Sequence, residues 1–444
     1  MKDMTRRRFL RTSLASVGAV GAAACAARQS RRISTSVSAR RSAPDANERI
    51  RVALIGSGGM GRGDVLTFLK YDDVECPLIC DVDDAQLKKV ADAIEKTSGK
   101  RPETVKDFRR IIDRKDIDVC LVATPDHWHA LPTIYACQAG KDVYVEKPLA
   151  TSIGEGRAMV EAARRYDRIV QMGTQWRSGR HYQQAIEYVH SGSLGEIRMV
   201  RCWAYLTWVY GVGKPKDGEA PRGVDYDMWL GPAPTRPFNR ARFHFSFRWF
   251  WDYAGGLMTD WGVHLINLAL WGMKVQAPTR VSSSGGKYVW DDISETPDTQ
   301  VAVFDYPGFT MIWEHQATGG HGAEGREHGV AFHGTEGTLI LDSGGWEVVP
   351  EEGKKKLKAE KHAGAGDGRP EHVRNFLDCV RSRERPVEDV GFGHLVSTTA
   401  HLGNIALLSK RSIQWDAENE RILGDKKASR LVTAPYRAPW KLPT

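Results

Sequence analysis

The chain has 444 residues, of which 41% are hydrophobic and 27% charged, with a formal net charge of +8. This length can hold two domains or more, and the composition is that of an ordinary globular protein. Residues 1–41 carry a net charge of +9, so the remaining residues carry −1. The basic balance therefore belongs to the N-terminal segment, and the rest of the chain has no excess of positive charge that would indicate a nucleic-acid partner.

The N-terminal segment has the features of an export signal. The basic sequence TRRRFLR, which contains Arg6 and Arg7, precedes an uncharged stretch over 12–27 that is rich in Ala and Gly. That stretch is too short and too mildly apolar to span a bilayer, but a basic region, an apolar region and Ala-x-Ala are typical of a cleavable signal. TRRRFLR resembles the twin-arginine motif, an address for the machinery that exports folded proteins. We therefore predict a twin-arginine signal over 1–27 and a periplasmic or cell-envelope location; a basic, disordered N-terminus is the alternative.

The cysteines indicate whether the protein could carry a lipid anchor and in which compartment it folds. Cys25 follows three alanines and is a candidate lipid-acylation site, although Ala22 stands where such sites favour Leu. Soluble and lipid-anchored forms both stay open, and a signal or a lipid is the only membrane contact expected. The other six cysteines show no metal-ligand spacing and no disulfide framework. This pattern fits a protein that folds in the reducing cytoplasm before export.

The remaining sequence predicts an α/β protein with two domains. Residues 28–48 are rich in Ser and Arg without periodicity and are predicted to be a flexible linker. Over 49–173, continuous apolar strands alternate with helices, which predicts the parallel sheet of a Rossmann dinucleotide-binding domain. Over 174–415, alternating and aromatic-rich strands predict a C-terminal α/β domain with an open, mostly antiparallel sheet. Residues 416–444 are expected to form a C-terminal tail.

A glycine-rich turn follows the first predicted strand. Its sequence, IGSGGMG, has Gly-x-Gly-x-x-Gly spacing at the beginning of a predicted helix. The first glycine permits the tight turn, the second lets the backbone approach a pyrophosphate, and the third lets the helix pack on the strand. Asp81 ends the second strand, where its carboxylate can bind ribose hydroxyls and repel a 2′-phosphate; the alternative is an Asp that only ends a strand. The pattern predicts NAD in preference to NADP, bound by Gly56, Ser57, Gly58, Gly59, Met60, Gly61 and Asp81.

Two further motifs follow later strands of the same predicted sheet. ATPDHWHA (123–130) and EKP (146–148) lie where open sheets of this type bind ligands, at the carboxyl ends of the strands. A lysine at the second motif could contact both the nicotinamide ribose and a substrate hydroxyl, and its charge would stabilise a developing alkoxide. The cofactor-binding residues predicted from these motifs are Thr124, Pro125, His129, Glu146 and Lys147.

The motifs GSGGMG, TPDHWH, EKP and GGLMTDWGVHLIN, in this order, resemble those of the glucose–fructose oxidoreductase/inositol dehydrogenase (Gfo/Idh/MocA) family. The resemblance extends from about residue 50 to about residue 410. It implies a Rossmann domain followed by an α/β domain whose open sheet often forms an oligomer interface, so a homo-oligomer is expected. It also implies that a nicotinamide cofactor oxidises or reduces one ring carbon of a sugar, inositol or related polyol.

The resemblance also assigns catalytic residues. The catalytic lysine of the family matches Lys147, and its aspartate and histidine match Asp260 and His264. Pro148 matches a proline that shapes the cofactor site in the family, and it is expected to do so here. A helix beginning near Thr259 would place positions 260 and 264 on one face, one turn apart. His264 would then accept the hydroxyl proton as the hydride leaves, while Lys147 and Asp260 hold the hydroxyl. Many members of the family have an aspartate three positions after the histidine, where this chain has Asn267.

The candidate catalytic and aromatic residues could also have structural roles. His264 could be a buried structural histidine, and a metal pair with Asp260 would need a third ligand that the sequence does not offer, so no metal is predicted. Aromatic rings and one arginine around 243–253 suit the faces and hydroxyls of a pyranose, but they could equally be core residues. His394 and His401 are expected to be packing residues. The candidate substrate-binding residues are Trp128, Trp176, Arg177, Arg248, Trp249 and Tyr253.

Together these patterns predict an exported NAD-dependent oxidoreductase with a tightly bound cofactor and a pyranose, glycoside or cyclic polyol as substrate. One alternative is an NAD-dependent glycosidase, in which transient oxidation of a ring hydroxyl acidifies the neighbouring C–H and allows elimination of the aglycone. The other is a sugar-binding protein without activity, which would bind no nicotinamide.

Overall fold

The computed structural model of the protein describes residues 49–354 and 356–443. The predicted signal, Cys25 and the predicted linker lie outside these residues. None of the helices within the described ranges combines the length and hydropathy needed to cross a bilayer.

The first sheet of the described chain has six strands, all parallel, in the order β3-β2-β1-β4-β5-β6. The strands are β1 (Ile50–Ile55), β2 (Val74–Cys80), β3 (Glu103–Val105), β4 (Val119–Val122), β5 (Asp142–Val145) and β6 (Val170–Met172). The helices that alternate with them are α1 (Gly59–Phe68), α2 (Asp84–Ser98), α3 (Arg109–Ile112), α4 (Ala130–Gln138) and α5 (Ile153–Arg165). This is the strand order of a Rossmann fold, and the order reverses between β1 and β4, where such sheets have their ligand crevice.

The local sequence explains these elements. Strands β4 and β5 are buried at every position, because helices cover both faces of a parallel sheet. Helix α2 begins where the Asp83 carboxylate accepts from the Ala85 N–H at 2.8 Å, and it ends at Gly99, whose φ of 72° is left-handed. The short β3 and α3 were not predicted from the sequence.

A helix from late in the chain completes the core of this sheet. Helix α10 (Arg369–Ser382) packs against α1. The Phe376 ring lies edge-on to Phe68 and Tyr144, with centroid distances of 6.1 and 5.7 Å. Residues that the sequence analysis placed in the C-terminal domain therefore cover one face of the Rossmann sheet.

The second sheet has ten strands in the order β14-β13-β12-β11-β7-β10-β9-β8-β15-β16. Among the described strand pairs only β7 and β10 run parallel, so the sheet is mostly antiparallel, as predicted. The strands are β7 (Met199–Leu206), β8 (Arg280–Gly286), β9 (Thr299–Tyr306), β10 (Phe309–Ala317), β11 (His328–His333), β12 (Gly337–Asp342), β13 (Gly345–Pro350), β14 (Glu360–Ala363), β15 (Ile413–Asp416) and β16 (Arg421–Leu423).

The remaining helices are α6 (Arg180–His190), α7 (Tyr226–Leu230), α8 (Gly256–Asp260), α9 (Gly262–Met273), α11 (Val390–Ser409) and α12 (Lys426–Ser429). Helix α11 packs against α5, α9 and β8, and its polar side chains bond to two loops. Ser397 accepts from the Leu149 N–H, and His401 Nε2 lies 2.9 Å from the Ala150 carbonyl, just after the EKP motif. Asn404 donates to the Gly255 carbonyl at 2.8 Å. Helix α11 thus positions the EKP loop and the glycine pair before α8.

The six cysteines that the structure describes are all buried and form no disulfide: Cys76, Cys80, Cys120, Cys137, Cys202 and Cys379. Burial raises the pKa of the Cys76 and Cys120 thiols to about 12. Such thiols stay protonated and act as small apolar side chains.

The C-terminal tail returns across the Rossmann sheet's helices. The Tyr436 hydroxyl donates to Glu155 at 2.6 Å. The Trp440 ring packs edge-on against Trp128 at a centroid distance of 4.9 Å. The Trp128 indole N–H also donates to the Met228 carbonyl at 2.9 Å, so the tail and α7 together fix this indole.

We expect Trp440→Ala to lower the free energy of unfolding by about 1–2 kcal/mol, because it removes a half-buried ring and its edge-on contact. Urea denaturation would measure this, with Leu423→Ala, a change at an exposed apolar side chain, as the control. Equal stability of both variants would show that the tail does not hold Trp128.

Candidate active site

The three glycines of the motif do different things in the folded chain. Gly56 has a φ of +96°, and a Cβ there would lie 2.6 Å from the Ala123 carbonyl. A Cβ on Gly61 would lie 2.0 Å from the Gly56 oxygen, whereas one on Gly58 would meet nothing within 4 Å. The first and third glycines are therefore required by the fold, and the second leaves open space in front of the backbone, where a pyrophosphate fits.

A cavity of 590 Å³ runs along the carboxyl ends of β1, β2, β4 and β5, in front of this turn. Its volume is typical of cofactor sites. Most residues predicted to bind the cofactor line it: Gly56, Gly58, Gly59, Met60, Asp81, Thr124, Pro125, Glu146 and Lys147. Two of the candidate substrate residues, Trp128 and Arg248, also line it.

Asp81 orders the glycine turn as well as lining the cavity. Its carboxylate accepts from the Ser57 N–H at 2.6 Å and from the Asp83 N–H at 3.0 Å. Burial raises the pKa of Asp81 to about 6, although these two bonds oppose the rise. Ser57 was predicted to bind the cofactor, but its N–H is taken by Asp81 and its buried hydroxyl donates to the Cys80 carbonyl at 3.3 Å.

Residues 222–247 cross the end of the cavity near Asp81. The Asp84 N–H and the Lys106 ammonium both donate to the Gly223 carbonyl, at 3.2 and 2.8 Å. His244 Nε2 lies 2.9 Å from the Asp83 carboxylate. We call residues 222–247 the strap. These contacts join residues more than a hundred positions apart, so no local sequence signal could have indicated them.

Lys147 and Asp260 form a buried ion pair at the other end of the cavity. The lysine Nζ donates to the Asp260 carboxylate at 2.6 Å and to its backbone carbonyl at 2.9 Å. Arg248 Nε donates to the same carboxylate oxygen at 3.2 Å. Burial alone would raise the pKa of Asp260, but the two cations outweigh it and hold that pKa below its usual range.

A break between helices α8 and α9 makes the bond from Lys147 to the Asp260 backbone carbonyl possible. The sequence analysis expected one helix through 260 and 264, but α8 ends at Asp260 and α9 begins at Gly262. The His264 N–H donates to the Trp261 carbonyl at 3.1 Å and not to that of Asp260. The Asp260 carbonyl is therefore available to Lys147.

His264 lies within electrostatic range of this pair but does not line the cavity. Its ring is buried, 4.8 Å from the Trp176 ring between centroids, and its Nδ1 has no hydrogen-bond partner. Burial, and then the charge of Lys147, hold the pKa of His264 well below its usual value. The imidazole is therefore neutral near pH 7, and it is less basic than that of an exposed histidine.

The Asn267 side chain is bonded to a second buried carboxyl group, that of Glu388. Its amide donates to Glu388 at 2.8 Å, and the Arg177 Nε lies 3.6 Å from the same carboxyl. Burial raises the pKa of Glu388 to about 7. The Arg177 guanidinium also stacks on Phe392 at 4.1 Å, so Arg177, which was predicted to bind substrate, balances the charge of Glu388 and does not line the cavity.

Two residues of the TPDHWH and EKP motifs that were predicted to bind the cofactor, His129 and Pro148, do not line the cavity. The His129 ring is buried between two carbonyls, with Nδ1 2.7 Å from Pro148 O and Nε2 3.0 Å from Thr124 O. His129 therefore ties together the two loops that line the cavity and does not itself line it. Pro148 contributes that carbonyl and likewise does not line the cavity.

Three aromatic residues predicted to bind substrate also lie away from the cavity. Tyr253 is completely buried, with its ring 4.9 Å from that of Trp229. Trp249 is buried against Trp290, and Trp176 is stacked on Tyr182 at 5.3 Å. Of the three, only Trp176 approaches a catalytic candidate, because it contacts His264.

Asp126 lies in the motif TPDHWH and lines the cavity, although it was not among the predicted site residues. Burial raises the pKa of Asp126 to about 8, against the opposing charge of Arg248. The carboxyl is therefore largely protonated at pH 7 and can donate a hydrogen bond. Its position just after a strand could have indicated that it lines the site, since Thr124 and Pro125 were predicted for that reason.

Two family descriptions match the chain. Residues 50–174 match "Oxidoreductase family, NAD-binding Rossmann fold", and residues 189–303 with 354–442 match "Oxidoreductase family, C-terminal alpha/beta domain". The chain belongs to the Gfo/Idh/MocA family. The NAD-binding description of its first domain agrees with the open space in front of Gly58, which fits a nicotinamide dinucleotide.

Individual relatives match different shares of the chain. Levoglucosan dehydrogenase of Pseudarthrobacter phenanthrenivorans is 25% identical over 66% of this chain and 74% of its own length. Glycosyl hydrolase family 109 protein 1 of a Shewanella species is 30% identical over 154 residues, and the match spans 34% of that relative. A solved levoglucosan dehydrogenase, in complex with NADH and levoglucosan, shares the fold, with a TM-score of 0.67 at 18% identity, covering 83% of this chain and 99% of that one.

The glycines allow a matched test of the cofactor site. Gly58→Ala should fold normally but retain at least about tenfold less dinucleotide, because the new methyl group enters space that the ligand needs. Gly61→Ala should also lower the free energy of unfolding by about 1–3 kcal/mol, since the Gly56 carbonyl must move. Thermal unfolding and nucleotide content per chain would be measured. Undiminished dinucleotide binding by Gly58→Ala would place the pyrophosphate elsewhere.

Glu388 predicts a pH-dependent difference in stability. Its pKa is raised from 4.5 to about 7, so its contribution to stability falls as pH rises through this interval and is constant above it. The free energy of unfolding of Glu388→Gln, relative to that of the wild type, should therefore increase by on the order of 2–3 kcal/mol between pH 4.5 and pH 7.5. Urea unfolding at several pH values would measure the gain, with the exposed Glu384→Gln as control; a pH-independent difference would contradict the buried, raised carboxyl.

Proposed function

We propose that the protein transfers a hydride between a ring carbon of a pyranose, glycoside or cyclic polyol and a tightly held NAD. The observation that carries the proposal is the buried Lys147–Asp260 pair at one end of the cofactor cavity, with His264 four positions after Asp260, in the first turn of α9. These three groups supply a hydroxyl-binding cation, a carboxylate that orients it and a proton acceptor.

The roles of the residues follow from their bonds. A bound nicotinamide ring supplies the hydride acceptor. Lys147, which lines the cavity, donates to the substrate oxygen and stabilises the negative charge that develops on it. Asp260 holds the ammonium in place through two bonds. His264 is the proposed acceptor of the hydroxyl proton as the carbon loses its hydride and the C–O single bond becomes a carbonyl, and this role requires the buried imidazole to come into contact with the substrate.

Two features support NAD and tight retention of it. Asp81 lines the cavity at the end crossed by the strap, and an ionised carboxylate there repels a 2′-phosphate. The strap is fixed to that end by the His244–Asp83 and Lys106–Gly223 contacts. A cofactor enclosed in this way would exchange slowly, so a second substrate would have to restore its redox state.

The proposal includes export in the folded state. It rests on the TRRRFLR sequence and on the six buried, unpaired cysteines, which suit folding in a reducing compartment. Fractionation of cells with an intact and an Arg6→Lys/Arg7→Lys signal would test it. Export should be lost in the double variant, and unchanged export would remove this part of the proposal.

The central test is mass spectrometry of the natively purified protein for bound dinucleotide, followed by incubation with a panel of sugars and glycosides. Lys147→Ala should reduce turnover by about 10²–10⁴-fold, because the oxygen loses its stabilising charge. The exposed Lys115→Ala serves as control. Full turnover by Lys147→Ala would refute the assignment of the site, and protein that neither carries nor binds nicotinamide would support a non-catalytic sugar-binding role.

The similarity to glycosyl hydrolase family 109 proteins favours a second candidate, an NAD-dependent glycosidase. In that reaction the ring hydroxyl is oxidised, the acidified neighbouring C–H loses its proton, the aglycone is eliminated, and the reduced cofactor returns the hydride after addition of water. Accumulation of a keto-sugar with net cofactor reduction would support the dehydrogenase. Release of aglycone without net redox change would support the glycosidase.

A further inference from the structure

Four aromatic side chains are exposed on three neighbouring loops near the proposed active site. Trp208 is 40% exposed, Phe245 57%, Tyr288 70% and Tyr210 72%. We call these four residues the aromatic rim. Large exposed rings are costly in water, and when they cluster they commonly mark a binding surface.

Two of the three loops are bonded into one unit. The Val212 N–H donates to the Asp292 carboxylate at 2.6 Å, and the Ile293 N–H donates to the Gly213 carbonyl at 3.2 Å. The Lys287 ammonium also donates to the Asp292 carboxylate, at 2.8 Å. The carboxylate that joins the loops is thus fully engaged by the protein, and the exposed face of the rim is formed by rings.

The rim is continuous with the proposed catalytic residues. Phe245 lines the cofactor cavity, and the Arg248 guanidinium lies over its ring at 4.7 Å. The Trp208 ring is 6.3 Å from Phe245 and 6.2 Å from Trp261, the residue that follows Asp260. The Asp260 carboxylate is therefore connected through Arg248 and Phe245 to the exposed ring of Trp208.

We propose that the aromatic rim is a subsite for a second sugar ring, so that the preferred substrate is a glycoside or oligosaccharide and not a free monosaccharide. This inference rests on the proposed function. The C–H faces of a pyranose are apolar and carry partial positive charge, so they pack on the negative faces of aromatic rings. A ring held at Lys147 would place its linked neighbour on the side of Phe245 and Trp208, where such faces are exposed.

The test compares monosaccharides with their disaccharides. Reduction of the bound nicotinamide would be followed with glucose, galactose and N-acetylglucosamine and with their α-1,4 and β-1,4 disaccharides. For the sugar that is turned over, we expect kcat/KM to be at least about fivefold higher for a disaccharide, the size of one stacking contact. Trp208→Ala should bring the disaccharide-to-monosaccharide ratio close to one, and Tyr210→Ala should lower it. Val349→Ala, a change at an exposed apolar residue on β13, should leave the ratio unchanged.

The outcomes separate this inference from the proposed function. Turnover of a monosaccharide without any advantage for its disaccharides, or an advantage that survives both rim variants, would overturn the inference and leave the proposed function standing. A protein that holds nicotinamide and oxidises no sugar of either kind would overturn both. A lower oligomer mass of Trp208→Ala in light scattering would identify the rim as a contact between copies of the chain and would also overturn the inference.

Discussion

The buried ion pair between Lys147 and Asp260 is the constraint around which the rest of the site is arranged. It joins the loop after β5 to the end of α8, so it connects the Rossmann sheet to the second half of the chain. Removing either charge would leave the other buried without a partner, which is far more costly than losing a surface pair. Both side chains are only 11% exposed, and the lysine therefore needs two acceptors, which the break between α8 and α9 provides.

The supporting contacts can be understood from this requirement. An ion pair that must stay aligned needs both of its loops held, and helix α11 bonds to each of them, through Ser397 and His401 on one side and Asn404 on the other. His129 provides a further link, because its ring lies between the carbonyls of Thr124 and Pro148. None of these four residues lines the cavity, yet they fix the loops that hold Lys147 and Asp260.

The sequence was informative wherever the backbone alone determines a position. Strand ends, the glycine turn and the spacing of the EKP motif depend on local conformation, and Gly56, Gly58 and Lys147, which these signals selected, line the cavity. Arg177 and Tyr253 do not line it, because residue type and chain position do not specify which way a side chain points. That is decided by distant partners, such as Glu388 for Arg177 and Trp229 for Tyr253. The helix break at Trp261 could not be predicted from the sequence either, since the Asp260 carbonyl that it frees is used by Lys147, more than a hundred positions away.

The strap gives a physical reason for the proposed export in the folded state. One end of the cavity is formed by Asp81 and Lys106 from the first sheet and by Gly223 and His244 from a later segment, so it exists only after both segments have folded. A chain exported unfolded would have to find its dinucleotide after export, where free cofactor is expected to be scarce. A chain that folds first can enclose the dinucleotide in the compartment that makes it, and binding of the ligand then stabilises the folded state during transport. The predicted twin-arginine signal and a cofactor cavity built from two distant segments of the chain thus support the same proposal from independent observations.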